Sequence, residues 1–172
     1  MSKVLLVTNS DIKRHTIING SVDVDNFIHY INIAQDIYIQ NYLGTDLFNK
    51  LKDLISSSTI NEVANSDYKL LLQEYIAPMV IHWTAVEYIP FAAFVLTNKG
   101  IYQNEAENAQ IASSEDIEKL VSKERDIAQH YSDRFVEYIC EHHIKYPEYT
   151  SNTGSDVDPN DVSYYGGLHL NY

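Results

Sequence analysis

Three groups of residues have the types and spacing that chemistry requires. In Cys140-Glu141-His142-His143, Cys140 and His143 lie three apart on one helical face and could offer two ligands to zinc. A tetrahedral site needs two more, and the chain has a single cysteine. Asp156-Val157-Asp158-Pro159-Asn160-Asp161 opens like a calcium loop, with oxygens at alternate positions. It then has Asp161 where that loop needs glycine and Gly167 where it needs its last acid, which leaves a run of solvated acids. His82 and Glu87 fall inside an apolar stretch and read as its polar edge rather than as a catalytic pair. There is no glycine-rich phosphate cradle, no GxSxG elbow and no Ser-His-Asp spacing that marks a nucleophile. The expectation is no catalytic residue, no metal and no cofactor.

The elements that must carry these residues are helical. The longest apolar segment, Ser66 to Thr97, holds the one tryptophan. Its Leu70, Leu71, Leu72, Tyr75, Ile76, Met79, Val80, Trp83, Val86, Ile89, Phe91, Phe94 and Val95 put bulk on nearly every side of a helix. A helix apolar all round must be wrapped by others. The segment is therefore expected to be the central helix of a small bundle, capped by Ser66. Pro78 and Pro90 each remove a backbone donor, so one kinked helix or two helices meeting near Ile89 is predicted. Tyr75 to Leu96 has the length of a bilayer span. His82, Glu87 and both prolines interrupt it, and no Lys or Arg cluster flanks it, so no membrane partner is expected.

Upstream, Asn9 or Ser10 can cap a short helix, Asn19-Gly20-Ser21 reads as a turn, and Asp23 or Asp25 caps a first long helix. There Phe27, Tyr30, Ile31, Ala34, Ile37, Tyr38 and Tyr42 recur at three- and four-residue spacing, making one apolar face. Tyr42-Leu43-Gly44 ends it, glycine supplying the left-handed conformation. Thr45 then caps a second helix, Asp46 to Ile55, with Leu47, Phe48, Leu51, Leu54 and Ile55 inward. These two helices should form a tight pair. Beyond the central element, Asn98-Lys99-Gly100 ends the helix and a long polar connection leads to Ser113 or Ser114, cap of the last helix. Its stripe, Ile117, Leu120, Val121, Ala128, Tyr131, Phe135, Tyr138 and Ile139, runs to about His143, and Pro147 closes the helical region. The predicted fold is all-α: a helical bundle over 9–146, an extended arm over 1–8 and an extended tail over 147–172.

A chain of 172 residues suits one domain that buries a core without staples. Its lone cysteine excludes an intrachain disulfide framework and fits a reducing compartment. The opening MSKVLLVTNSDIKRH lacks a small-residue cleavage signal and is not expected to be a secretory signal. A net charge of −12 argues against gripping phosphate backbones, which takes Lys and Arg. Fourteen tyrosines offer stiff contact area with a polar tip, suited to interfaces and half-buried core edges. The polar tail ends in Tyr164, Tyr165, Leu168, Leu170 and Tyr172, so it is expected to dock on a neighbouring chain, the other reading being a return to its own domain.

The close of the first long helix, Ala34-Gln35-Asp36-Ile37 and Tyr42-Leu43-Gly44, followed by Leu47, Leu51 and a compact second helix, resembles the opening of the head-to-tail adaptor proteins of tailed bacteriophages. In length the chain is similar to the neck ring proteins of crAss-like phages. The resemblance spans residues 9 to 145; the loop around 100–113 and the tail extend beyond the small adaptors. It implies a structural virion protein at the neck, made in the host cytoplasm. It implies a homo-oligomeric ring, twelve-fold, that sits below the portal protein, meets further neck or tail proteins and extends the DNA channel toward the tail. The number of copies depends on the angle between heterologous interfaces. An acidic wall would repel passing DNA within the screening length of about 10 Å, and carboxylates of the long loop or the second helix are expected to face that bore. Two other classes stand beside it: a helical regulator that binds a protein partner as a monomer or dimer, and an enzyme supported only by scattered histidines and acids.

Overall fold

The computed structural model of the chain describes residues 4–18, 21–92, 94–97, 100–103, 113–151 and 156–160. Among them the fold is all-α, with helices joined by π and 3-10 turns and one two-stranded hairpin. Helix α1 (Asn9–His15) starts on Thr8, not on Asn9 or Ser10. Thr8 lies three residues before Asp11, so the two close a capping box: Asp11 N donates to Thr8 Oγ1 at 3.3 Å and Thr8 N donates to Asp11 Oδ2 at 2.9 Å. Helix α2 (Val24–Ala34) is capped by Asp23, whose Oδ1 accepts from Asp25 N at 3.3 Å.

A π turn, Gln35–Ile39, links α2 to α3 (Gln40–Ser56). A wider turn rotates the residues that follow it out of the 3.6-residue register. Gln35 and Ile39 are thereby buried, while Ile37, expected on the apolar face, is 50% exposed. Helix α3 breaks at Gly44, where φ is 72° and ψ is 162°. The break is where the sequence expects it, but the conformation is the extended positive-φ region open almost only to glycine, rather than the ordinary left-handed helical one. Beyond it Leu47, Phe48, Leu51 and Leu54 point inward. Helix α3 also packs on α7 (Pro147–Thr150).

Helix α4 (Ser66–Leu71) has Ser66 as its first helical residue and no side-chain cap, so the expected Ser66 cap is not formed. A second π turn, Leu72–Ile76, leads into α5 (Ala77–Tyr88). Pro78 lacks an N–H and its ring crowds the preceding turn; the wider turn just upstream, with Ala77 N donating to Leu72 O, makes room for it. Helix α5 buries Met79, Val80, Ile81, Trp83, Thr84, Ala85, Val86 and Tyr88, and α6 (Ser114–His142), α2 and α1 surround it. Ser113 caps α6, its Oγ accepting from Asp116 N at 3.2 Å.

The apolar run does not stay helical to Thr97. Pro90 sits in a 3-10 turn, Ile89–Phe91, that ends the helix. Phe94–Thr97 then forms strand β1, antiparallel to β2 (Gly100–Gln103), with Val95 opposite Tyr102 and Leu96 opposite Ile101. Gly100, read from sequence as a helix stop, is a strand residue, and residues 98 and 99 lie outside the described set. Nor does Pro147 close the helical region: it opens α7 at a position where its missing N–H costs nothing. Tyr146 and Tyr149 on either side are buried. No helix among the described residues is long and apolar enough to cross a membrane.

Candidate functional site

The adaptor-like residues flank the π turn and the break in α3. Ala34, Leu43, Gly44, Leu47 and Leu51 are buried, and Tyr42 is half-buried beside them. A helix broken at Gly44 strands polar groups: the Asn41 carbonyl loses its following turn, and the Thr45 N–H begins a new one. The tail supplies both. Asn160 N donates to Asn41 O at 2.7 Å, and Thr45 N donates to Val157 O at 3.0 Å. Val157 N donates to Thr45 Oγ1 at 2.9 Å, so the hydroxyl expected to cap the second helix is turned to the tail instead. Gln40 Nε2 donates to Asp156 Oδ2 at 2.8 Å. The ring of Pro159 then closes over Gly44. The acid run that opens like a calcium loop is a strap on this break, with Asp156 serving as a hydrogen-bond acceptor.

That strap corrects part of the tail reading. Residues 156–160 return to their own body rather than to a neighbour. Tyr164, Tyr165, Leu168, Leu170 and Tyr172 lie outside the described residues.

A cleft of about 670 Å³ opens between the N-terminal arm and the second π turn. Leu6, Val7, Asp11, Glu74, His82 and Tyr131 are among its walls. The arm is held by Gln35 of the first π turn: Leu6 N donates to Gln35 Oε1 at 2.7 Å, and Gln35 Nε2 donates to Val4 O at 3.1 Å. His82 and Glu87, neighbours in sequence, go separate ways. His82 Nδ1 donates to Glu124 Oε2 at 2.8 Å and its ring stacks on Tyr131, whereas Glu87 accepts from Tyr38 OH at 2.7 Å. Glu124, an acid on the buried face of α6, was not legible as a partner because 42 residues separate it from His82. Asp11 is already engaged in the Thr8 capping box. The cleft can bind, but its carboxylates and imidazoles do not converge on one point; among the described residues no three His, Cys, Asp or Glu side chains are grouped to hold a metal. In the Cys140 region, His142 and His143 each turn Nδ1 to a backbone carbonyl, of Tyr138 and Cys140.

Tyrosines seal the ends of the bundle. Tyr38 stacks on Trp83 with ring centres 3.9 Å apart, and burial followed by the Glu87 hydrogen bond pushes its hydroxyl up to about 12. Tyr146 donates to Asp67 O at 3.1 Å and meets the Tyr138 hydroxyl; burial and then that contact push its pKa upward. Tyr68 donates to Glu148 at 2.6 Å and is raised for the same leading reason. These pairs tie α4 to α7 and to the end of α6.

Residues 39–159 match DUF6712, described as a family of unknown function. The chain belongs to that family. No curated protein and no solved structure matches it. The DUF6712 span opens on the last residue of the first π turn and closes on Pro159, so it takes in both halves of the strap on Gly44. The arm, α1 and α2 lie before it.

Proposed function

We propose that this DUF6712 chain is a structural virion protein, a subunit of a head-to-tail adaptor ring that sits below the portal and extends the DNA channel toward the tail. The observation that carries the reading is the strapped break at Gly44. Ala34, Leu43, Leu47 and Leu51, among the residues on which the adaptor resemblance rests, lie in one buried core, and the strap holds the break at Gly44 between them. The strap gives Asn160 the same fixed place in every copy. A segment that joins neighbours around a ring needs that constancy. The net charge of −12 supports a wall that DNA slides past rather than one that grips it.

The test is to co-purify the chain with the portal protein of the same genome and image the particles. Rings of this chain stacked on the portal are expected. Portal particles without added density, beside a free monomer or dimer, would favour a helical regulator of a single protein partner instead.

A further inference from the structure

We propose that the β1–β2 hairpin, Phe94–Gln103, is the surface through which one copy of this chain pairs with a second copy; the inference deepens the ring reading and rests on it. Among the described residues the two strands pair only with each other, so each has an outer edge with no β partner. A lone two-stranded hairpin is marginal in water and gains from a third strand, and an open edge is a ready template for one. At its root Phe91 is 56% exposed and Phe94 45% exposed, with Phe91 stacked on Tyr30 of α2. An anchored base, free edges and open aromatic rings are what an assembly arm presents.

Charge selects the occupant. Copies that each carry −12 repel one another over most of their surface. The longest stretch without an acid runs from Tyr88 to Asn104, between Glu87 and Glu105, and Lys99 is its one charged residue. It contains the whole hairpin. A basic partner would gain most on the acid-rich faces, whereas an identical acidic copy meets least repulsion here. For a closed ring the contact is head to tail, the β1 edge of one copy against the β2 edge of the next.

The experiment measures the mass of the full-length chain, alone and on the portal, for the native sequence and for Phe91→Asp and Phe94→Asp. Thermal unfolding of each variant separates assembly from folding: Phe94→Asp is expected to unfold as the native chain does, whereas Phe91→Asp also loses the Tyr30 stack. The account expects each variant to weaken self-association about tenfold or more, since it places an acid in the acid-free run. It also expects native self-association to tighten between about 50 mM and about 500 mM salt, as repulsion is screened. Assembly that survives both substitutions overturns the hairpin contact and leaves the ring reading standing. Variants that still self-associate but lose the portal reassign the hairpin to that partner. A native chain that stays single with and without portal overturns the ring reading itself.

Discussion

Pro159 lies over Gly44 so closely that a Cβ at position 44 would sit 2.7 Å from the proline Cγ and 2.8 Å from its Cδ. Two demands coincide at this glycine. Its φ of 72° with ψ of 162° is open to almost no other residue, and the strap allows no side chain in the space above it. The α3 break and the chain's return at residues 156–160 therefore depend on each other.

Gly44→Ala should cost about 2 to 4 kcal/mol, from backbone strain together with overpacking against the strap. Urea unfolding measures it. In a chain truncated before Asp156 the same substitution should cost less, because only the strain remains. Equal costs in the two backgrounds would mean that the contact with Pro159 contributes nothing.

In the ring reading, removing residues 161–172 should impair assembly on the portal. Removing residues 155–172 should also lower stability by about 1 to 3 kcal/mol, since the polar groups of Asn41 and Thr45 lose their partners. Calorimetry on the two truncations separates these effects.

Much of this architecture is legible in the sequence, and the misses have physical causes. The faces of α2, α3 and α6 follow from apolar spacing, α5 is legible as apolar nearly all round, and Asp23, Ser113 and Gly44 mark starts and breaks by local chemistry and conformation. A π turn leaves no such mark. The one at Gln35–Ile39 exposed Ile37 and buried a glutamine whose purpose, holding the arm at Val4 and Leu6, is 31 and 29 residues away. The hairpin did have a signal: aromatic and β-branched residues flank Asn98-Lys99-Gly100, but the apolar run before them continues the helix without a break. The adaptor-like segment was legible as a helix–break–helix; the strap that completes it was not, because an acid-rich, proline-containing tail offers no apolar face to read.

Glu124 and His82 form a hydrogen-bonded carboxylate–imidazole pair between α5 and α6. Glu124→Ala should destabilise the chain by about 1 to 3 kcal/mol by stranding the imidazole N–H. His82→Ala in the same background should add little further. A double-mutant cycle by urea unfolding checks this, and strictly additive losses would contradict it.

Alkali should loosen the bundle through its buried tyrosines. Tyr38 titrates at about 12 in the folded chain against 10.0 unfolded, and Tyr68 and Tyr146 are raised as well. The folded state thus holds protons that the unfolded state has released. The stabilisation is fully present below pH 10 and is lost as pH rises toward 12 and beyond. Tyrosinate absorbance should show a late fraction that appears together with loss of near-ultraviolet dichroism. Tyr38→Phe should make that fraction smaller.

In the proposed function, copies of this chain assemble on a portal. Mass photometry of the 19.7 kDa chain mixed with portal rings measures that assembly. A discrete gain in portal mass equal to many copies of the chain is expected, with few particles between the bare and the loaded ring. Portal mass that does not change at saturating chain would contradict it.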